Sequence, residues 1–171
     1  MIKHQMKMWN LRAVALVSCL LVASAVTAQI ANPERATESL DAFPRTTLKV
    51  ATPDARLHKF NVWIAADGPR REQGLMFVKS LPDDSGMLFI YGEPQVIAMW
   101  MKNTFIPLDM VFIRADGRVA RVVANTKPHS LNTIESGEKV LGVLELKAGT
   151  AAKLNIRAGA LVQHPAFSSA K

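Results

Sequence analysis

Short runs rich in β-branched and aromatic residues recur through residues 57–164, and turn signals separate them. Each run has the length of a strand and is too short for a core helix. Because the runs follow one another closely, they favour the strands of one curled sheet or small barrel. The predicted strands are Lys59–Ala65, Gly86–Tyr91, Val96–Lys102, Leu108–Arg114, Arg118–Asn125, Val140–Leu146 and Ala160–His164, with one earlier strand around Thr47–Ala51.

Two segments between these runs have the features of short helices. Pro69–Phe77 starts with a proline, which is favoured in a first helical turn, and Gly74 ends or interrupts it. Thr150–Leu154 is the second, and the polar segment Thr126–Lys139 is predicted to be a loop. The predicted fold class is therefore α+β, mainly β: a single compact barrel-like or curled antiparallel sheet with one or two short helices.

Changes in composition mark the limits of the folded part. Residues 29–56 are polar and contain three prolines without a sustained periodicity, so they are predicted to be a flexible lead-in. Residues 57–164 form the predicted β-rich domain, which is long enough for one compact core. Residues 165–171 are predicted to be a loose tail.

The first 28 residues have the pattern of a secretory signal peptide. Lys3, Lys7 and Arg12 precede an uncharged apolar run over residues 13–25, and small residues lead to Ala28. Serines interrupt this run, which falls short of the ~20 apolar residues that a membrane span needs. Cleavage near Ala28 would leave a periplasmic or secreted chain, with no transmembrane span predicted in the mature part.

Cys19 permits a second interpretation of the same segment. Leu16 to Cys19 resemble the lipobox of bacterial lipoproteins, in which the cysteine becomes the lipidated first residue. Cleavage there would leave an apolar run shorter than the roughly 7–15 residues of a signal peptide, so release is preferred to lipidation. Because Cys19 is the only cysteine, the folded part has no disulfide framework, thiolate zinc site or cysteine nucleophile.

The positive charge of the chain belongs in part to the signal peptide. The 171 residues include 21 Lys and Arg against 14 Asp and Glu, a net charge of +7. Residues 1–28 hold three of the basic groups, so the mature chain keeps 18 against 14 and a net charge of +4. No long basic run remains, and an exported protein is separated from nucleic acid, so no nucleic-acid partner is predicted.

The densest unusual segment covers residues 99–110. In an extended conformation Trp100 and Lys102 share one face, and Asn103 follows at the strand end. An apolar plate, a cation and a two-way hydrogen bonder would suit ligand binding. The alternative is that Trp100 packs in the core while Lys102 extends its amine into water. The sequence leaves both interpretations open.

Two carboxylates lie within apolar runs. An unpaired buried charge is costly, so Asp109 is predicted to lie at a turn or to pair with Lys102 or Arg71. Glu145 is predicted to share a strand face with Val143, opposite its two leucine neighbours. A structural ion pair is preferred to a catalytic carboxylate of raised pKa, and only residue type supports a two-carboxylate glycosidase site.

No cofactor, metal site or catalytic residue is predicted. Clustered thioethers can bind Cu(I), but methionines are also common core residues. The histidines of the mature chain lack the spacing of metal ligands, and no GxSxG, HExxH or P-loop motif is present, so enzymatic activity is left uncertain. The residues concerned are Met76, Met87, Met99, Met101, Met110, His58, His129 and His164.

Several strings of the folded part closely resemble one known family, catalogued as domain of unknown function 192. They are REQGLMF (71–77), GMLF (86–89), MWMKNTFIPLDMVFI (99–113), VLEL (143–146) and KAGTAAKLNIRAGALV (147–162). The resemblance spans about residues 57–164 and implies a small β-rich α+β fold, often exported, with no established activity. The family's characteristic polar positions carry over as Arg71, Trp100, Lys102, Asn103, Asp109 and Glu145. The 126–139 loop lacks the cysteines of some relatives, which argues against a metal or redox role.

These features predict an exported envelope protein that acts as a non-enzymatic binding or accessory module. The six characteristic polar residues are its candidate ligand-binding residues, and the expected ligand is a small anionic or glycan-like molecule. One alternative is a hydrolase-type enzyme that uses Asp109 or Glu145 with Lys102. Another is a purely structural role in ordering the chain around residue 103. The oligomeric state is not predicted.

Overall fold

The computed structural model describes residues 38–167. The predicted signal peptide, Cys19, residues 29–37 of the predicted lead-in and residues 168–171 of the predicted tail lie outside the described residues. The strands are β1 (Arg45–Ala51), β2 (Leu57–Ala65), β3 (Ser85–Met99), β4 (Leu108–Ile113), β5 (Val119–Val123), β6 (Ile134–Lys147) and β7 (Leu161–Gln163). The helices are α1 (Gly68–Gln73) and α2 (Thr150–Lys153), with 3-10 turns at Leu40–Ala42 and Pro165–Phe167.

Within the described residues the strands form one curled sheet in the order β5-β4-β6-β3-β2-β1-β7. All neighbours are antiparallel except β2 and β3, which are parallel and are joined through α1, as a parallel pair requires a crossover. The two edges of the sheet touch, because Arg118 bridges Leu161 and the Val119 N–H donates to the Ala160 carbonyl at 2.8 Å. The predicted fold class is confirmed.

Strand alternation produces two apolar clusters, one on each face of the sheet. The inner cluster contains side chains from all seven strands, including Phe60 and Leu144, and therefore fills the curl. The outer cluster lies on β2, β3, β4 and β6 and is covered by residues 75–81 and by Met101. The candidate site lies in this outer layer.

The predicted loop over residues 126–139 is wrong in its second half, where β6 starts at Ile134. Ile134 pairs with Met99 at the end of β3. The two strands predicted at Gly86–Tyr91 and Val96–Lys102 are therefore one strand in the structure, Ser85–Met99. The pairing is irregular near Ser136, whose hydroxyl accepts the Ile97 N–H at 3.0 Å and donates to the Glu138 carbonyl at 2.7 Å. A polar side chain thus bonds to the backbone groups of this stretch, and such polar residues are typical of a loop sequence.

The folded part extends beyond residues 57–164 at both ends. β1 pairs with β2 over its whole length and with β7, and Phe43 is buried in the outer cluster. At the other end, Phe167 is buried in the inner cluster. The last part of the predicted lead-in and the first part of the predicted tail are thus built into the fold. No helix among residues 38–167 is long and apolar enough to cross a membrane.

Gly117 lies where the two edges of the sheet meet, and an alanine there is expected to lower the free energy of unfolding by about 2 kcal/mol. Its φ is +82°, and an added Cβ would lie 2.6 Å from the Val162 carbonyl oxygen. Gly149 is the matched control, because its φ is +84° but nothing lies within 4 Å of its added Cβ. Urea denaturation compares Gly117→Ala with Gly149→Ala. Equal losses would contradict the role assigned to the edge contact.

Candidate functional site

A cavity of about 80 Å³ lies in the outer layer, between α1, the end of β3, the following loop and β6. Its lining includes four of the six predicted site residues, Arg71, Trp100, Lys102 and Glu145. Tyr91 also lines it and is not among the site residues predicted from the sequence. The sequence offers no signal for Tyr91, because its role depends on where α1 packs.

Helix α1 positions Arg71 at one side of the cavity. Asp67 caps the helix by accepting the Arg70 N–H at 2.9 Å, and Gly74 ends it with a φ of +50°. The Arg71 guanidinium donates to the carbonyls of Ala66 and Ile90, the latter at 3.0 Å. Its carbon lies 5.0 Å from the centre of the Tyr91 ring. These contacts fix the cation without neutralising it.

Trp100 and Lys102 approach the cavity from the loop that follows β3. The predicted strand over 96–102 stops at Met99, so both residues lie outside the sheet. Met99 and Met101 are buried and anchor the loop, which directs the alternate residues outward. The Lys102 amine lies 5.1 Å from the Trp100 ring centre, and Trp100 is 45% exposed. The core interpretation of Trp100 is therefore wrong.

Asn103 has a backbone role next to the cavity. Its φ is +52°, a left-handed conformation that asparagine tolerates better than most residues. Its carbonyl accepts the Phe77 N–H at 2.8 Å, which ties the loop to the segment after α1. Asn103 is not among the residues that line the cavity.

Glu145 supplies a buried carboxyl group at the cavity. It lies near the end of β6, between Met87 and Met110 on the neighbouring strands, and only 4% of it is exposed. As predicted, it shares the outer face with Val143. Burial away from water raises its pKa from 4.5 to about 8. No hydrogen bond or ion pair between described residues offsets this cost, so the neutral acid predominates at pH 7.

Asp109 does not belong to the site, and the predicted pairing with Lys102 or Arg71 is wrong. It is fully buried on the opposite face of β4. One carboxylate oxygen accepts the Asn125 N–H at 2.9 Å and the other accepts the Ala151 N–H at 2.8 Å. The backbone thus satisfies this carboxylate, which joins β4 to the end of β5 and to α2.

Two larger cavities lie elsewhere on the described part of the chain. One of about 570 Å³ has Asp83 in its lining, which pairs with Lys147 at 2.7 Å and with Lys153 at 3.8 Å. Another of about 400 Å³ lies over β1 and β2, where Arg45 stacks on Trp63 at 4.7 Å. The smaller cavity differs because it combines two cations with a buried acid.

The methionines pack mainly as core residues. Four are buried in the outer cluster, and the Met101 sulfur accepts a hydrogen bond from the Thr126 hydroxyl at 3.1 Å. Met76 and Met99 line the cavity. Within residues 38–167, no group of three or more His, Cys, Asp or Glu is arranged to hold a metal ion.

The chain matches known families and structures over its folded part. The family model for DUF192, described as "Uncharacterized ACR", matches residues 49–164. A crystal structure from Sinorhizobium meliloti, named a "putative transcription regulator", is 40% identical with a TM-score of 0.71, covering 72% of this chain and 96% of that one. A protein of unknown function from Novosphingobium aromaticivorans is 31% identical with a TM-score of 0.71, covering 74% and 90%. No curated protein sequence matches. The chain belongs to the DUF192 family.

Proposed function

We propose that this protein is an exported binding or accessory module of the cell envelope. Its ligand would be a small molecule with an acidic group, held in the cavity between α1 and the loop after β3. The observation that carries the proposal is that Arg71 and Lys102 line one cavity while neither forms an ion pair among the described residues. A ligand anion would supply the missing partner through charge-assisted hydrogen bonds.

The exposed ring of Trp100 supports the same proposal. The cavity, at about 80 Å³, is far smaller than the ~300–1,000 Å³ of a typical small-molecule site, so it would accept only the acidic end of a ligand. The rest of the molecule would lie against Trp100 at the surface, where an aromatic face suits a sugar ring or an aliphatic chain. This arrangement fits a glycan-like or peptide-like envelope component.

A second candidate function is general acid–base catalysis by Glu145. A carboxyl group with a raised pKa in a concave site is what an acid catalyst requires, and Glu145 has both properties. Asp109 would not contribute, because it lies on the other face of the sheet. Among residues 38–167 the cavity lining contains no serine, cysteine or histidine, so binding is the preferred function.

A thermal-shift screen of organic acids, sugar acids, muropeptides and inorganic anions tests the proposal. A ligand at a hundredfold excess over its dissociation constant should stabilise the protein by ~2.7 kcal/mol. Lys102→Ala should keep the unliganded melting temperature, because Lys102 is exposed and forms no ion pair among the described residues, and should lose the ligand-induced shift.

Lys49→Ala is the matched control, since Lys49 is an exposed lysine of β1 far from the cavity lining. It should keep both the melting temperature and the ligand-induced shift. A shift that survives in Lys102→Ala would place the ligand elsewhere. Turnover of a bound ester or glycoside that is lost in Glu145→Gln, with binding retained, would favour the catalytic alternative.

A further inference from the structure

The cavity brings together groups that suit opposite charges on one small ligand. Arg71 and Lys102 are cations at its wall, while Glu145 is an acid buried between two methionine-bearing strands. The other titratable groups that line it are Glu72 of α1 and Tyr91 of β3. Ligands with only an acidic group would leave Glu145 unused, and ligands with only an ammonium group would face the two cations.

We propose that the site binds the head group of an α-amino acid, with the carboxylate at Arg71 and Lys102 and the ammonium at Glu145. This inference rests on the proposed function and names its ligand class. The ligand is a free amino acid, or the end of a larger molecule that keeps both charged groups on one carbon.

The size of the cavity agrees with such a head group. At about 80 Å³ the cavity is far below the ~300–1,000 Å³ of a typical small-molecule site, which suits a small charged head group better than a whole sugar ring. The side chain of the amino acid would point to the surface over Trp100, which is half-exposed. Trp100 would then favour apolar or extended side chains without selecting one strictly.

Glu145 must change its charge when the ammonium arrives. In the free protein no partner among the described residues stabilises its ionised form, and the neutral acid predominates. An ammonium binds a carboxylate more strongly than a neutral carboxyl group, and the attraction between the two charges is large in a site shielded from water. Binding therefore transfers the Glu145 proton to solvent, and the resulting ion pair replaces the O–H bond. Each mole of ligand should release up to one proton at pH 7.

Isothermal titration calorimetry in buffers of different ionisation enthalpy tests this directly on the wild-type protein. The probes are a panel of free L- and D-α-amino acids, their N-acetyl derivatives, which keep only the acid, and their amides, which keep only the ammonium. We expect at least one free amino acid to bind with proton release, and both of its derivatives to bind about tenfold or more weakly.

Two variants separate the parts of the proposal. Glu145→Gln, nearly isosteric and neutral, should abolish proton release and the preference for the free amino acid over its N-acetyl form. Lys102→Ala should weaken the binding of the free amino acid and of its N-acetyl form to a similar extent. An N-acetyl derivative that binds wild type as tightly as the parent would overturn the inference and leave the proposed acid-binding function intact. If none of these probes binds but other acids do, the inference is overturned and the proposed function stands. If no acid binds at all, both the inference and the proposed function are overturned.

Discussion

Replacing Asp109 with alanine is expected to lower the free energy of unfolding by about 3 kcal/mol, because the buried Ala151 N–H and the part-buried Asn125 N–H lose their acceptor. The two carboxylate oxygens accept the N–H groups of Asn125 and Ala151 at 2.9 and 2.8 Å, and the side chain is fully buried. The variant should also loosen α2, whose first turn includes Ala151.

Urea denaturation of Asp109→Ala measures this loss, and Asp83→Ala is the control. Asp83 contacts Lys147 and Lys153, but its side chain is 68% exposed, and exposed ion pairs contribute at most about 1 kcal/mol. Asp109→Asn should be destabilised as well, since its amide nitrogen would face one of the two N–H donors. A loss in Asp109→Ala no larger than in Asp83→Ala would mean that these hydrogen bonds contribute little to stability.

The role of Asp109 illustrates which part of a site can be predicted from sequence. The apolar run around it correctly indicated that the carboxylate is buried and satisfied. Its partners were wrong, because two backbone N–H groups, one of them 42 residues along the chain, satisfy it in place of a cation. The local apolar pattern predicts that a side chain is buried, but the identity of its distant hydrogen-bond partner depends on how the sheet curls.

Local residue pattern explains both the strands that were predicted correctly and the loop over 126–139 that was predicted wrongly. β2, β4 and β5 contain β-branched and aromatic residues, and this local pattern largely determines them. After Ile134, the first residues of β6 are mostly polar, and they join the sheet because they pair with β3. Such pairing is non-local, and no spacing within residues 134–139 indicates it.

The convergence of the cavity residues was predictable only in part. Trp100 and Lys102 are two residues apart, so alternation places them together even though they lie in a loop and not in a strand. Arg71 and Glu145 are distant in sequence, and only the resemblance to the family grouped them with that pair. What brings them together is the packing of α1 and the loop over the outer face of β6, which no local pattern specifies.

Replacing Glu145 with glutamine is expected to remove the pH dependence that this carboxyl group imposes on stability. The pKa of Glu145 is about 8 in the folded protein and about 4.5 in the unfolded chain. Between these values the folded state holds a proton that the unfolded state releases, so stability falls as pH rises from about 4.5 to about 8. The slope would be about 1 kcal/mol per pH unit, and above pH 8 it would vanish.

The glutamine variant keeps the shape of the neutral acid and cannot ionise, so it should become more stable than wild type as pH rises. The difference should be small near pH 5 and on the order of 3 kcal/mol at pH 7. Urea denaturation of both proteins from pH 5 to pH 9 measures it. The lowered pKa of His164, caused by burial, affects both proteins equally and cancels in the difference. Glu93→Gln, at an exposed glutamate of β3, should follow the wild-type curve.

A constant difference between wild type and Glu145→Gln across this pH range would show that Glu145 is already ionised at pH 5. An ionised carboxylate at this depth needs a cation, and Arg71 and Lys102 are the cations that line the same cavity. The cavity would then carry an internal ion pair in place of two unmatched charges, and an incoming ammonium would have to compete with it. The pH dependence of the free protein therefore decides whether Glu145 is available to a ligand, before any ligand is known.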